Sequence, residues 1–285
     1  MKQLIINADD FGRHELINLA VEKAFQNGCL RSTTIMAGGK FFDHAVEIAK
    51  RNTNLGVGIH FTLANGYPVL PPEKIPTLVT KDGVFYENYI EFLKVYVKGK
   101  INRAEIQAEL SAQLEKVTRA GLKLTHFDSH QHLHHFPGII GITLKLAKAA
   151  NIPAMRTADT KIFDGSIESF GQIIGRLGLG SLSKFAAHSA HTKNILTPEH
   201  FSGIVAGESV TEKFLTKLIK NLEDGTTEVM LHPGTNNEVL KKYCEWEHDF
   251  EAELNAVTSQ KILKLLEKEK VVAVNFSALK KQEKI

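Results

Sequence analysis

The chain has 285 residues, of which 43% are hydrophobic and 24% charged, a balance that excludes a disordered or fibrous protein. The formal charge of +3 is small and the lysines are spread along the chain, so we expect no nucleic-acid partner. Cys29 and Cys244 lie far apart and outside any C-x-x-C spacing, which favours free thiols over a disulfide. No segment approaches the roughly 18–20 apolar residues of a membrane span, and the amino terminus does not resemble a signal peptide. We therefore expect a cytoplasmic protein.

Short β-rich runs alternate with helical patterns along the whole chain, which is typical of parallel strands joined by crossover helices. The clearest helix is predicted over Asn102–Ala120, with Asn102 as its N-cap and Gly121 as its stop. The pattern predicts a single α/β domain over residues 1–285, a distorted (β/α) barrel of seven or eight strands, with an open doubly wound sheet as the alternative. The eight candidate strands are Leu4–Asn7, Ser32–Met36, Gly56–Phe61, Leu124–Asp128, Ala154–Thr157, Gly203–Ala206, Glu228–Leu231 and Val271–Asn275.

Three stretches depart from these regular patterns. Gly66–Asp82 contains four prolines, and because each proline removes a backbone donor, the sequence predicts an ordered but irregular loop after the third strand. Phe163–Leu196 is apolar but interrupted by five glycines, which makes it too broken for one regular helix. It is either a crossover of two short helices or a mobile apolar flap over a greasy substrate or a partner subunit. The lysine-rich tail, Leu279–Ile285, is interpreted as a solvated end.

Two adjacent carboxylates, Asp9 and Asp10, stand where the first strand passes into a loop. Adjacent side chains of an extended chain point to opposite sides. Both can therefore face one cavity only if the chain turns here, and Gly12 permits that turn. The alternative interpretation is that one of the two caps the helix that begins near His14 or Glu15.

Histidines mark the ends of the third and fourth strands. A single histidine such as His60 is more often a hydrogen-bonded structural residue than a metal ligand, but four further histidines follow His126 within the stretch His126–His135. Residues of one parity point to one side of an extended chain, so one face would present His126, Asp128, His130 and His132. The alternative is a surface tract that binds metal only adventitiously. Strands one, three and four thus each end in carboxylates or imidazoles, and the carboxyl ends of strands are where barrel enzymes place their sites.

Later strands add further polar residues at the same rim. His232 follows an apolar strand and could donate a proton near neutral pH, or it could simply end the strand together with Pro233. Arg156 could pair with Asp9 or another acid of the site, or belong to a structural ion pair. Glu251 and Glu253 are interpreted as a solvated helix face. One carboxylate with two neutral imidazoles would leave coordination positions open for water and substrate, as a catalytic metal site requires.

Four short motifs, in this order and spacing, resemble the YdjC-like carbohydrate deacetylases: Ala8–Gly12, Gly58–His60, Ser129–His132 and His232–Gly234. The likeness covers nearly the whole chain. It is closest to the hopanoid-biosynthesis-associated branch of that family, on the strength of Gly66–Pro72, Ile75-Pro76, Asp82-Gly83 and Leu196–Phe201. The family often has arginine where this chain has Phe250, so we expect no site role for that helix.

The resemblance implies a distorted barrel that removes the acetyl group from an N-acetylated amino sugar and releases acetate. By similarity, the metal ligands would be Asp10, His60 and His130, and Asp9 would be the general base. His232 or His132 would be the proton donor. Substrate-binding or supporting positions would be His132, Arg156 and Phe11.

The single divalent cation is expected to be zinc or magnesium, since imidazoles suit zinc and a carboxylate with waters also serves magnesium. The expected partner is an N-acetylglucosamine-containing oligosaccharide of chitin type or a glycolipid of hopanoid type, and a homodimer is a further possibility. Two rival functions use the same residues. One is a non-haem iron oxygenase, which also takes two histidines and a carboxylate, and the other is a non-catalytic metal- or sugar-binding barrel.

Overall fold

In the part of the chain that the structure describes, seven strands form one parallel sheet that curls into a half-barrel. The computed structural model describes residues 1–158, 170–203 and 209–279, with the backbone alone at 170–179. The order across the sheet is β4-β3-β2-β1-β6-β5, with β7 beside β1, which confirms the expected single-domain α/β fold and its distorted barrel. The strands are β1 Lys2–Phe11, β2 Ser32–Ile35, β3 Gly56–Phe61, β4 Leu124–Ser129, β5 His200–Ser202, β6 Gly225–Leu231 and β7 Val272–Val274.

The first strand, β1, lies at the centre of the sheet. It pairs with β6 from Lys2 to Ala8 along one edge. Its other edge is divided, because β7 pairs with Gln3–Ile5 and β2 pairs with Asn7–Phe11. The strand is buried from its third residue onward. Such burial on both faces explains the continuous apolar run Leu4–Ile6 that comes before Asn7 and the two aspartates.

Helices cover the outer face of the sheet and begin with side-chain caps at several points. The clearest predicted helix is confirmed: Asn102 caps Arg103–Arg119 by accepting the Ala104 N–H at 2.9 Å. Its buried face packs into the main hydrophobic core. The helices are α1 Glu15–Asn27, α2 Phe42–Arg51, α3 Tyr89–Tyr96, α4 Arg103–Arg119, α5 Ile139–Ala149, α6 Phe170–Thr192, α7 Glu212–Lys220, α8 Asn237–Cys244, α9 Phe250–Thr258 and α10 Gln260–Lys268.

One predicted strand differs from the structure, and another falls mostly outside the described residues. Over Ala154–Thr157 only two isolated bridges form, from Ala154 to Leu196 and from Met155 to Phe127. The strand expected at Gly203–Ala206 lies outside the described residues except for Gly203, which directly follows β5. Gly203 ends that strand because its φ is +107° and a Cβ there would meet the Met230 carbonyl oxygen at 2.3 Å.

The glycine-rich stretch also differs from its prediction. From Phe170 to Thr192 the backbone is one helix, so the expected interruption by glycines is wrong there. Each glycine costs a helix about 1 kcal/mol, a preference that tertiary packing overrides. Residues 163–169 of the predicted flap lie outside the described ranges. The irregular Gly66–Asp82 loop is confirmed and contains only a short 3₁₀ turn, Pro72–Lys74.

Both cysteines are free and buried. Within the ranges that the structure covers, no helix combines the length and the apolar character needed to cross a bilayer.

Candidate metal centre

The two aspartates reach one cavity because the chain turns at Asp10 itself. Asp10 adopts a left-handed φ of +62°, and the pairing of β1 with β2 shifts register between Ala8 and Phe11. Gly12 follows with a φ of +94°. The alternative role as a helix cap is wrong, because α1 is capped by His14, whose Nδ1 accepts the Leu16 N–H. The turn therefore serves the cavity.

Asp10, His60 and His130 bring three potential ligand atoms together. Asp10 Oδ1 lies 3.0 Å from His130 Nδ1 and 3.5 Å from His60 Nε2, and the two nitrogens are 3.4 Å apart. Ligands about 2.1 Å from one cation are separated by about 3.0 Å at right angles and about 3.4 Å at tetrahedral angles. Asp10 Oδ1 is also buried and makes no hydrogen bond of its own. The three donors therefore fit one divalent cation.

In each imidazole, the ring nitrogen that points away from the cluster faces an oxygen acceptor. His60 Nδ1 lies 2.6 Å from Asp128 Oδ1, and His130 Nε2 lies 3.4 Å from Asn65 Oδ1. An acceptor at the far nitrogen keeps the ring proton there and directs the other lone pair into the cluster. Carboxylate and amide partners of this kind are typical of metal-binding histidines.

The charges in the cluster are strongly coupled. Burial would raise the pKa of Asp10, but His130 and the Arg13 guanidinium, 2.8 Å from Asp10 Oδ2, hold that pKa well below 3.8. Burial would lower the pKa of His60, but Asp128 and the neighbouring acids raise it to about 10. For His130 burial prevails, and the pKa is lowered. A metal-bound imidazole must be neutral, so a cation at this site would oppose the upward shift at His60.

Arg156 is the hub of a second charged group beneath the cluster. Its side chain is fully buried. Its guanidinium donates to both carboxylate oxygens of Asp9 at 2.7 Å, and it also lies 2.6 Å from Asp128 Oδ2 and 2.7 Å from Glu228 Oε1. Although burial opposes it, the Arg156 charge lowers the pKa of Asp9 and keeps this carboxylate ionised. Burial prevails at Glu228 and raises its pKa to about 8. One guanidinium thus orients three acidic side chains, those of Asp9, Asp128 and Glu228.

The cluster opens into a cleft of about 390 Å³, whose lining includes Asp9, Asp10, His130, His132, His232 and Trp246. A second cavity of similar volume shares part of this wall, including Arg13 and Asn65, and extends toward Lys40, Tyr67 and Tyr243.

Left-handed backbone is concentrated around this cleft. Besides Asp10, four residues that line the cleft have a φ between +50° and +56°: Asn65, Gln131, His132 and Glu245. The other described non-glycine residues with positive φ, which lie elsewhere, are Asn151, Asn194 and Lys270. Each such conformation costs about 1–2 kcal/mol, and it persists only where the surrounding structure imposes it. Backbone strain is therefore a property of the site.

The structure separates the residues that parity placed on one face. The strand β4 ends at Ser129, and left-handed residues then turn His132 into the cleft. His126 lies in the interior, where its ring stacks on Phe276 at 3.6 Å. Phe11, expected to support the substrate, is instead fully buried in the hydrophobic core.

The interpretation of Glu251 and Glu253 as one solvated face is wrong for Glu253. Glu251 is exposed, whereas Glu253 is 1% exposed and accepts the backbone N–H of His232, which lines the cleft. The apolar substitution at Phe250 therefore does not remove helix α9 from the site.

Sequence reasoning also missed Arg13, Asn65 and the roles of Asp128 and Glu228. Two signals were present. Arg13 follows Asp10 by three residues, and Glu228 is a charged residue inside an otherwise apolar strand. Asn65 carried no local signal, since its place depends on the fold.

Together the half-barrel and the cluster define an α/β protein with a candidate metal site at the carboxyl ends of its strands. The family model described as YdjC-like protein matches residues 3–268, and the chain belongs to that family. A carbohydrate deacetylase of Brevibacillus brevis is 32% identical over 278 residues, covering 97% of this chain and 99% of the relative. A carbohydrate deacetylase of Thermoanaerobacter pseudethanolicus is 29% identical over 280 residues, covering 98% and 100%.

Among solved structures, one from Enterococcus faecalis V583 has a similar fold. Its description proposes a cellobiose-phosphate cleavage protein. The TM-score is 0.74 at 25% identity, and the match covers 97% of this chain and 98% of the other.

Proposed function

We propose that this protein is a metal-dependent carbohydrate N-deacetylase that hydrolyses the acetamide of an N-acetylglucosamine-containing substrate. The observation that carries the proposal is the triangle of Asp10, His60 and His130, whose donor separations of 3.0–3.5 Å suit one cation. The names of the relatives supply the reaction class. They favour a deacetylase over an iron oxygenase or a non-catalytic binding barrel.

When bound by these three residues, a divalent cation would polarise the acetamide carbonyl and lower the pKa of a water molecule. Asp9 is proposed as the general base, because it lines the cleft and Arg156 holds it ionised and oriented. It would take a proton from the attacking water while the water oxygen bonds to the carbonyl carbon. The carbon–nitrogen bond then breaks to give acetate and a free amine.

The departing nitrogen needs a proton, and we assign its delivery to His232 in preference to His132. Burial lowers the pKa of both imidazoles, but His132 is shifted well below 6.5 by the added charges of Arg156 and His135. Asp9 and Asp10 oppose the shift at His232. His232 is therefore better able to take up a proton and pass it to the amine.

Two substrate types remain within this proposal, a chitin-type oligosaccharide and a glycolipid of hopanoid type. The cavity beside the cleft supports the oligosaccharide, because it offers the polar aromatic rings of Tyr67 and Tyr243 and the Lys40 ammonium. Such groups suit a second sugar ring. The predicted apolar flap is the feature that would favour the lipid.

The test is acetate release from N-acetylglucosamine oligosaccharides and from an N-acetylglucosaminyl lipid, with and without a chelator. We expect release from the oligosaccharide, loss after chelation and recovery on adding Zn²⁺ or Mg²⁺. The metal that restores the rate, checked by elemental analysis of untagged protein, identifies the cofactor. Chelator-resistant turnover would refute the metal dependence, and absence of acetate from every substrate would refute the deacetylase.

A further inference from the structure

Glu253 is a buried acid that the proposed chemistry leaves unexplained. It lies in the first turn of α9, is 1% exposed, and belongs to a group with His232 and His248 whose side-chain donor atoms all lie within 4.8 Å of one another. A glutamate is rarely buried unless its charge is paired. Its partners should therefore reveal its role.

The Glu253 carboxylate joins three segments of the chain. Its Oε1 accepts the Val210 N–H at 2.7 Å, and its Oε2 accepts the His232 N–H. Next to His232, the loop is fixed again where the Gly234 N–H donates to the Phe250 carbonyl at 3.0 Å. The backbone of His232 is thus tied to α9 by a charged acceptor.

The His232 ring packs against Trp246 and His248, and His248 contacts Glu253. His248 Nε2 lies 3.2 Å from Glu253 Oε2, and the His248 ring stacks on Trp246 with centroids 4.0 Å apart. The His232 ring meets the Trp246 and His248 rings edge to face, at 5.0 Å and 5.7 Å. Glu253 therefore constrains the His232 backbone directly, and it constrains the His232 ring through His248 and the Trp246 ring stacked on it.

We propose that Glu253 is a positioning residue that sets the place of the His232 imidazole in the cleft. The inference rests on the proposed function of His232 as proton donor to the leaving amine. Glu253 acts through the His232 N–H and through His248, without touching substrate. Its loss would weaken the step that protonates the leaving group, while leaving the Asp10–His60–His130 cluster in place.

The experiment compares Glu253→Gln with Glu251→Gln, an exposed glutamate two residues earlier on the same helix. The amide introduced by Glu253→Gln can accept one backbone N–H but presents its own N–H to the other. Turnover is measured on an N-acetylglucosamine oligosaccharide and on 4-nitrophenyl acetate, whose leaving group needs no proton. Metal content and amide hydrogen exchange in the peptide containing His232 are measured alongside.

For Glu253→Gln we expect kcat on the N-acetyl substrate to fall by about 10- to 100-fold, the cost of a small misplacement, with KM and metal content nearly unchanged. Ester hydrolysis should fall much less, and exchange at His232 should accelerate. Glu251→Gln should behave as wild type. If Glu253→Gln does not fold, Glu253→Asp keeps the charge on a side chain too short to hold both N–H groups, and the same selective loss is expected.

An equal loss on amide and ester would indicate a merely structural role and overturn the inference, as would amide turnover equal to that of Glu251→Gln. If wild-type protein releases no acetate from any N-acetyl sugar, the proposed function fails by itself. The exchange measurement then decides the positioning role, since unchanged protection at His232 refutes it and faster exchange supports it.

Discussion

His60 and His126 are both buried histidines on neighbouring strands, but their surroundings differ completely. His60 is the last residue but one of β3. Burial would lower its pKa, but Asp128, Asp10 and Asp9 raise it to about 10. His126 stacks on Phe276 in the interior, where burial and then the Arg156 charge lower its pKa well below 6.5. The His60 imidazole thus belongs to a charged layer formed with the three aspartates, and the His126 imidazole belongs to a packed, neutral layer formed with Phe276.

The difference shows that position along the strand decides what a histidine does in this barrel. A Cβ at Gly58 would meet the His126 ring at 2.5 Å, so this glycine, two residues before His60, makes room for the neutral histidine. The Gly58–His60 motif therefore combines a packing requirement with a site residue two positions later. Only the second half of it concerns chemistry.

The largest difference between the two histidines is expected when His60→Ala is compared with His126→Phe. The first removes a proposed ligand, and we expect loss of bound metal and a fall in turnover beyond the roughly 10- to 100-fold that losing a supporting partner costs. The second keeps a ring against Phe276, and we expect near-normal metal content and rate. Elemental analysis and acetate release measure both. Equal losses would contradict the division into two layers.

Asp9→Asn tests the charged layer without removing a ligand. We expect the metal to stay bound while kcat falls by about 10²- to 10⁴-fold, the usual contribution of a general base. An amide would face the Arg156 guanidinium with its N–H group, so circular dichroism should confirm that the variant is folded. A near-normal rate would show that the base assignment is wrong.

Glu228→Gln tests where the charged layer ends, and its expected effect, a change in the pH dependence of stability, is the smallest of the three. Burial raises the pKa of Glu228 from 4.5 to about 8, so between these pH values the folded state holds a proton that the unfolded state has lost. This group therefore makes the protein less stable as pH rises from 4.5 to 8. Glutamine removes that dependence.

We expect Glu228→Gln to match wild type near pH 5 and to be more stable near pH 8 by on the order of 1 kcal/mol, about 2–4 °C in Tm. Thermal melts at the two pH values measure the difference. A variant that is less stable at the higher pH would show that Glu228 is ionised in the folded protein.

Sequence reasoning reached the ends of β1, β3 and β4 because strand ends carry a local signal. It predicted that Asp10, His60 and His130 share one rim, and the structure brings these three together. It failed where neighbours are distant along the chain. Glu253 appeared solvated because helical spacing cannot reveal that His232, 21 residues earlier, donates to it. The prediction that alternate residues share one face failed beyond Ser129, because the extended backbone ends there and left-handed residues follow.

The divided edge of β1 has a consequence for how the protein is made. The strand that carries both aspartates is synthesised before β6 and β7, which flank it and come from residues 225–231 and 272–274. Its two edges stay unpaired on these sides until residue 274 has left the ribosome, and such long-range pairing is slow and exposed to aggregation. The nascent protein therefore makes Asp9 and Asp10 long before the strands that hold them in the candidate metal centre.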